Sequence, residues 1–261
     1  MWKVSDADSR IWLFGSIHLM PSGQDWRTPE FDQILVKADR VFFETDMSAE
    51  QQAVISAEAF IRGIYTDGTL LTDVLDDAQE ALLRRVAAEN DIALGPILAM
   101  RPWMAAQAVT GPVLAQSGFL EEGVELQLLN EVAAERRGYF ETGLQQLDVL
   151  TTGPEAENVT MLVQALEDLP TMKDTMFEML DLWMGGEEDQ LGNLMVQETA
   201  GIDGFAERLL FNRNRNWLAP IEDMLAGNEA NLIIVGAAHL SGPEGVPTLL
   251  EQAGYTVERV Q

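Results

Sequence analysis

The chain sets 43 Asp and Glu against 16 Lys and Arg over 261 residues, a formal net charge of −27, with 47% hydrophobic residues and no cysteine. That length and apolar content suit one sizeable domain, while the acidity opposes nucleic acid and anionic membrane surfaces as partners. Without cysteine there are no disulfides, no thiol catalysis and no thiolate metal sites, so any bound metal must be held by nitrogen and oxygen.

In chain order, residues 2–5 and 11–14 read as a hairpin around the turn-rich residues 6–9. This strand pattern begins almost at the first residue and shows no secretory leader, which predicts either a cytoplasmic chain or the mature form of an exported one. Thr28 then caps a helix over 28–38 with Pro29 at its first position, and Arg40 to Glu44 is a short apolar strand. This βαβ passage predicts an α/β fold with parallel pairing. Helical spacing covers 48–62, 76–90, 102–116 and 123–137, with a strand at 139–141 ended by Gly143. From 154 to 227 the pattern is helical again and rich in methionine: Met161, Met172, Met176, Met179, Met184 and Met195. These suit helix-core packing or, alternatively, an adaptable groove. Residues 231–235 return to strand, 245–253 to helix and 255–260 to a last strand. No apolar stretch approaches the roughly 20 residues of a membrane span. The reading is one domain over 1–261, with an α/β core of mixed sheet at about 1–46 and 230–261 and a long helical insertion at about 47–229.

The only two histidines, His18 and His239, each stand three positions after a glycine at the end of an apolar run, Gly15 and Gly236. Imidazole serves metal ligation and proton transfer near neutral pH. Glu44 and Glu141 likewise follow apolar strand-like runs. Functional groups in open α/β sheets gather beyond the carboxyl ends of the strands, so His18, Glu44, Glu141 and His239 are the candidate site. Alternatively, Glu44 caps the helix that starts near Ser48, and Glu141 pairs with Arg136 or Arg137. Arg101 beside Trp103, and Arg213 with Asn214 before Trp217, offer guanidinium forks for an oxyanion or a structural pairing. Ser16 beside His18 is a weak nucleophile or substrate-contact candidate. No G-x-S-x-G, H-E-x-x-H or Walker pattern occurs. The basic groups at Arg84-Arg85, Arg136-Arg137 and Arg213/Arg215 form no stripe, so no nucleic-acid partner is expected.

These residues resemble the TraB/PrgY/GumN family, to which the Tiki membrane metalloproteases are related. The resemblance runs through Gly15 to His18, Glu44 with Asp46, Arg101 with Trp103, Glu141 with Gln146, Arg213-Asn214 with Trp217, and Gly236 to His239. Gly123-Val124-Glu125 stands where the family often has Gly-Ile-Asp, and Phe140-Glu141-Thr142 where it often has Leu-Glu-Thr. The resemblance implies a fold similar to the erythromycin esterase and ChaN-like proteins. It also implies that His18 and His239 are the paired motif histidines, Glu44 their acidic partner, and Glu141 and Arg213-Asn214 recurrent site residues.

The resulting expectation is a metal-dependent hydrolase acting on a peptide or other amide in a Tiki-like manner. His18, Glu44 and His239 would hold Zn²⁺, Mn²⁺, Co²⁺ or Fe²⁺, with Glu141 as base. Arg213 or Arg101 would stabilise the oxyanion, and Asn214 and Ser16 would contact a peptide or small-molecule substrate. Two alternatives stand beside it: a ChaN-like protein binding haem or another hydrophobic ligand, and a metal-free esterase with His18 or His239 as base.

Overall fold

The computed structural model describes residues 1–120, 123–199, 201, 202 and 204–260. Among the described residues eight strands form: β1 (Trp2–Ser5), β2 (Arg10–Ser16), β3 (Met20–Pro21), β4 (Arg40–Phe43), β5 (Phe119–Leu120), β6 (Arg137–Tyr139), β7 (Ala230–Gly236) and β8 (Thr256–Arg259). With twelve α-helices among the described residues they make an α/β fold on a mixed sheet. The six-stranded sheet has the order β6-β4-β7-β2-β1-β8, and β3 pairs with β5 separately. β6, β4, β7 and β2 run parallel, while β1 is antiparallel to β2 and to β8. No helix among the described residues is long and apolar enough to cross a membrane.

Side-chain alternation explains why this sheet is buried on both faces. On one face Phe14, Val41, Phe43, Leu232 and Ile234 pack with Trp26, Phe31 and Leu35. On the other, Ile11, Leu13, Phe42, Ile233 and Val235 meet Trp217, Ile221 and Leu225. Successive residues of β7 therefore enter opposite cores, and its unbroken apolar run is the pattern of a central parallel strand. A third apolar cluster joins helices Asp77–Glu89, Pro102–Gln116 and Glu155–Asp168 through Leu83, Val86, Val109, Leu162 and Leu166.

Helix Pro29–Lys37 starts as its sequence dictates, with the Thr28 hydroxyl accepting from the Phe31 N–H at 3.2 Å. The segment 123–137 departs from the expected long helix. It holds helix Val124–Leu129 and a 3-10 turn Ala134–Arg136 before entering β6. The carbonyls of Leu129 and Val132 accept from the Arg137 guanidinium instead of from the next helical turn, and β6 gains its ladder with β4. The strand accordingly spans 137–139, two residues earlier than its aromatic pattern suggests. In the helical stretch 154–227, Ala200 and Asp203 lie outside the described residues.

Candidate active site

Four adjacent parallel strands end in the four residues singled out by sequence. His18 follows β2 by two residues, Glu44 directly follows β4, Glu141 follows β6 by two, and His239 sits in the 3-10 turn Ala237–Leu240 after β7. The backbone pairing continues past the strands, with the Glu141 N–H donating to the Glu44 carbonyl at 2.9 Å. Glu44 Oε1 lies 3.9 Å from His18 Nε2 and 3.7 Å from His239 Nε2, and accepts from the Gly236 N–H at 2.7 Å.

Gly236 makes this approach possible. A Cβ at that position would lie 3.2 Å from Glu44 Oε1 and 3.4 Å from His18 Nε2. Its backbone, at φ −51° and ψ 137°, is open to any residue, so the glycine is there for space. Gly236→Ala is expected to push the carboxylate and imidazole apart, costing about 1–3 kcal/mol of stability. Urea unfolding of the variant measures this, and an unchanged midpoint would show that the cluster has room to spare.

Arg213 is the hub of the buried side. Its Nη2 donates to Glu44 Oε2 at 2.5 Å, its Nε to both Glu141 oxygens at 3.0 Å, and its Nη1 to the Leu209 carbonyl at 2.8 Å. Nη1 also faces His239 Nε2 at 3.0 Å, while His239 Nδ1 meets Asn214 Oδ1 at 2.5 Å. Asn214 Nδ2 donates to the Glu244 carbonyl, which fixes its amide with oxygen toward the ring. The ring is therefore a neutral Nδ1–H tautomer whose Nε2 lone pair is taken by the guanidinium. Burial lowers the His239 pKa to about 3, ahead of the opposing pull of Glu44. Burial works against the Glu44 charge as well, but Arg213, His18 and the Gly236 N–H hold its pKa below the usual carboxylate range. Trp217 closes the network, donating from Nε1 to Glu141 Oε1 at 2.9 Å, and its ring lies 4.4 Å from the His239 ring and 5.1 Å from the Arg213 guanidinium carbon.

His18 belongs to the open side. Its side chain is 55% exposed and its Nδ1 lies 3.0 Å from Glu125 Oε1. Glu125 sits buried in helix Val124–Leu129 and also accepts from the Ser16 hydroxyl. Gly123 lets that helix dock, since a Cβ there would fall 2.3 Å from the His18 carbonyl oxygen. The Glu125 charge raises the His18 pKa to about 9, against burial and with help from Glu44. Solvent on the exposed face screens this pair, so its contribution to fold stability is small. Glu125 was not among the residues picked out by strand-end position. Its signal was Gly123-Val124-Glu125, the variant form of a recurrent motif.

Of the remaining candidates, Ser16 is 1% exposed and donates to the Glu125 oxygen that holds His18, so it belongs to the cluster as a support and not as a nucleophile, while Arg101 lies apart. Arg101 stacks over Tyr65 at 4.6 Å, pairs with Glu155 at 3.6 Å and lines a different cleft with Arg62 and Trp103. Glu44 does not cap helix Ala49–Gly63, whose N-cap residue Ser48 makes no side-chain cap bond; Asp46 accepts from the Ser48 N–H at 2.8 Å in the turn before it. Glu141 meets Arg213, whereas Arg136 and Arg137 spend their guanidinium groups on backbone carbonyls.

The donors do not fit the expected metal. An ion about 2.1 Å from His239 Nε2 along its lone pair would collide with Arg213 Nη1, and the guanidinium already pairs with Glu44 and Glu141. Among the described residues no three His, Asp or Glu side chains are set to hold an ion. What the arrangement offers instead is a proton-exchanging imidazole at a pocket mouth, backed by a carboxylate and facing a second, permanently ionised one. The pocket, about 270 Å³, is lined by His18, Glu44, Glu125, Thr45, Gln146 and an apolar wall.

The model of the TraB/PrgY/gumN family matches residues 1–259, and the chain belongs to that family. Neither a curated protein nor a solved structure matches it.

Proposed function

We propose that this TraB/PrgY/gumN chain is a hydrolase of amide or ester substrates that works through His18 and water, with no metal in the step. The observation that carries this reading is the 3.9 Å gap between His18 Nε2 and Glu44 Oε1. It is too wide for a direct hydrogen bond and suits one water touching both atoms. Glu125 holds the imidazole with Nδ1 protonated, so Nε2 is the atom that exchanges protons. Neutral His18 takes a proton from the water as the oxygen adds to the carbonyl carbon, then returns it to the leaving amine or alcohol as that bond breaks. Glu44, kept ionised by Arg213, orients the water. Arg213, Asn214 and His239 position Glu44 and do not line the pocket.

Peptide bonds are among the amides of this proposal, cleaved without the metal of the Tiki proteases, and the erythromycin esterase/ChaN-like fold belongs to it too, supported by histidines and glutamates at neighbouring strand ends. The haem-binding alternative draws no support from the larger pocket, which Asp25, Arg27, Glu188 and Arg259 help to line. That pocket, about 520 Å³ beside Trp26 and Trp183, has no histidine or tyrosine in its lining.

Screening quenched peptides and simple esters with and without chelator tests the reading. Turnover is expected to survive exhaustive removal of divalent ions. Activity lost on chelation and restored by Mn²⁺ or Zn²⁺ would refute the metal-independent step.

A further inference from the structure

Resting on the hydrolase reading above, we propose that the pocket beside His18 recognises a primary ammonium group on a short apolar chain. Glu125 and Thr45 are its polar acceptors.

Two buried oxygens with no hydrogen-bond partner, Glu125 Oε2 and Thr45 Oγ1, belong to residues that line this one pocket. Both residues are at least nine-tenths buried, at 4% and 9% exposure. Buried polar atoms in native proteins are nearly always paired, so two orphans among the residues of one pocket call for a partner from outside the chain. A carboxylate oxygen only accepts, and a hydroxyl oxygen accepts as well, so the missing partner is a donor. An ammonium group carries three N–H donors, enough for more than one such acceptor.

Charge selects the cation. The ionisable groups lining the pocket are His18, Glu44 and Glu125, so at pH 7 two carboxylates stand against one imidazolium and the lining stays net negative. A ligand carboxylate or phosphate would meet two carboxylates and a single imidazolium already paired with Glu125. The net charge of −27 further enriches cations near the surface. The rest of the lining is largely apolar, with Met47, Ile55, Leu147 and Leu150. Gly143 lets Ile55 reach the pocket, because a Cβ on the glycine would overlap Ile55 Cδ1. A volume of about 270 Å³ holds a body the size of one amino-acid side chain.

The test uses probes without a carbonyl, so that binding is read apart from turnover. Binding of 3-methylbutylamine, 3-methylbutanol and 3-methylbutanoate to the intact protein is followed by NMR titration at pH 7. The amine is expected to bind about 10-fold or more tighter than the alcohol, and the acid to bind least. Glu125→Gln should erase the preference for the amine, and Thr45→Val, which keeps shape and leaves Glu125 in place, should weaken amine binding about 5-fold. Equal affinity for amine and alcohol in the wild type would overturn the proposal, as would an amine preference untouched by either variant. A protein that prefers the amine yet cleaves no ester or amide would sink the hydrolase reading and leave the recognition intact.

Discussion

Replacing His18 with glutamine is expected to lower turnover by about 10²–10⁴-fold, the scale of lost proton transfer, with the fold intact because the side chain is half exposed. The pH dependence follows from the raised pKa. The imidazole is charged below about 9 and neutral above it, and only the neutral form can take a proton from water. For the wild type, kcat/KM should therefore climb through neutrality and level off above about 9. In Glu125→Gln the charge that raises the pKa is gone, so the midpoint should move down toward the ordinary 6.5 while the plateau falls. A rate that falls as pH rises through this range would make the imidazolium the working form and reverse the assigned role.

Arg213→Met should be the most destabilising substitution in the site. It leaves Glu44 and Glu141 as buried carboxylates without their cation and returns the His239 lone pair to an empty neighbourhood. Breaking a buried pair from one side typically costs about 3–5 kcal/mol, which for a chain of this size is roughly 10 °C or more in Tm. Adding Glu44→Gln and Glu141→Gln removes the stranded charges and should recover part of that loss. Calorimetry on the single and triple variants decides it. A single variant as stable as the wild type would mean the guanidinium is not what holds these carboxylates together.

How far the sequence could be read follows from where each group gets its partners. The parallel strands were legible because β2, β4 and β7 are short apolar runs with a glycine or acid at their ends, and burial on two faces demands that composition. The convergence of His18, Glu44, Glu141 and His239 is a direct consequence, since adjacent parallel strands present the same end. Roles were less legible, because they depend on contacts across the fold. Arg213 lies 169 residues from Glu44 and 26 from His239; no local pattern tells that its fork fills the space a metal would need. Glu125 is hidden within an apolar six-residue helix, flanked by Val124 and Leu126, where a carboxylate reads as the polar face of a helix. Arg101 beside Trp103 looked equivalent to Arg213 near Trp217, yet its ring partner is Tyr65 and its carboxylate Glu155, in another cleft. The segment 123–137 misled because its helical spacing competes with the sheet, and the edge position beside β4 wins.

The two histidines divide the account between them, and a chain with only two makes the division directly observable. ¹⁵N-labelled histidine NMR across pH 5 to about 10 would follow both rings at once. One ring, assigned by His18→Gln, should titrate far above 6.5 and fall toward it in Glu125→Gln; the other should remain a neutral Nδ1–H tautomer throughout, with no titration. Two rings titrating together near 6.5, or a His239 that takes up a proton near neutral pH, would contradict the assignment of His18 as the proton-exchanging group and His239 as its fixed, neutral support.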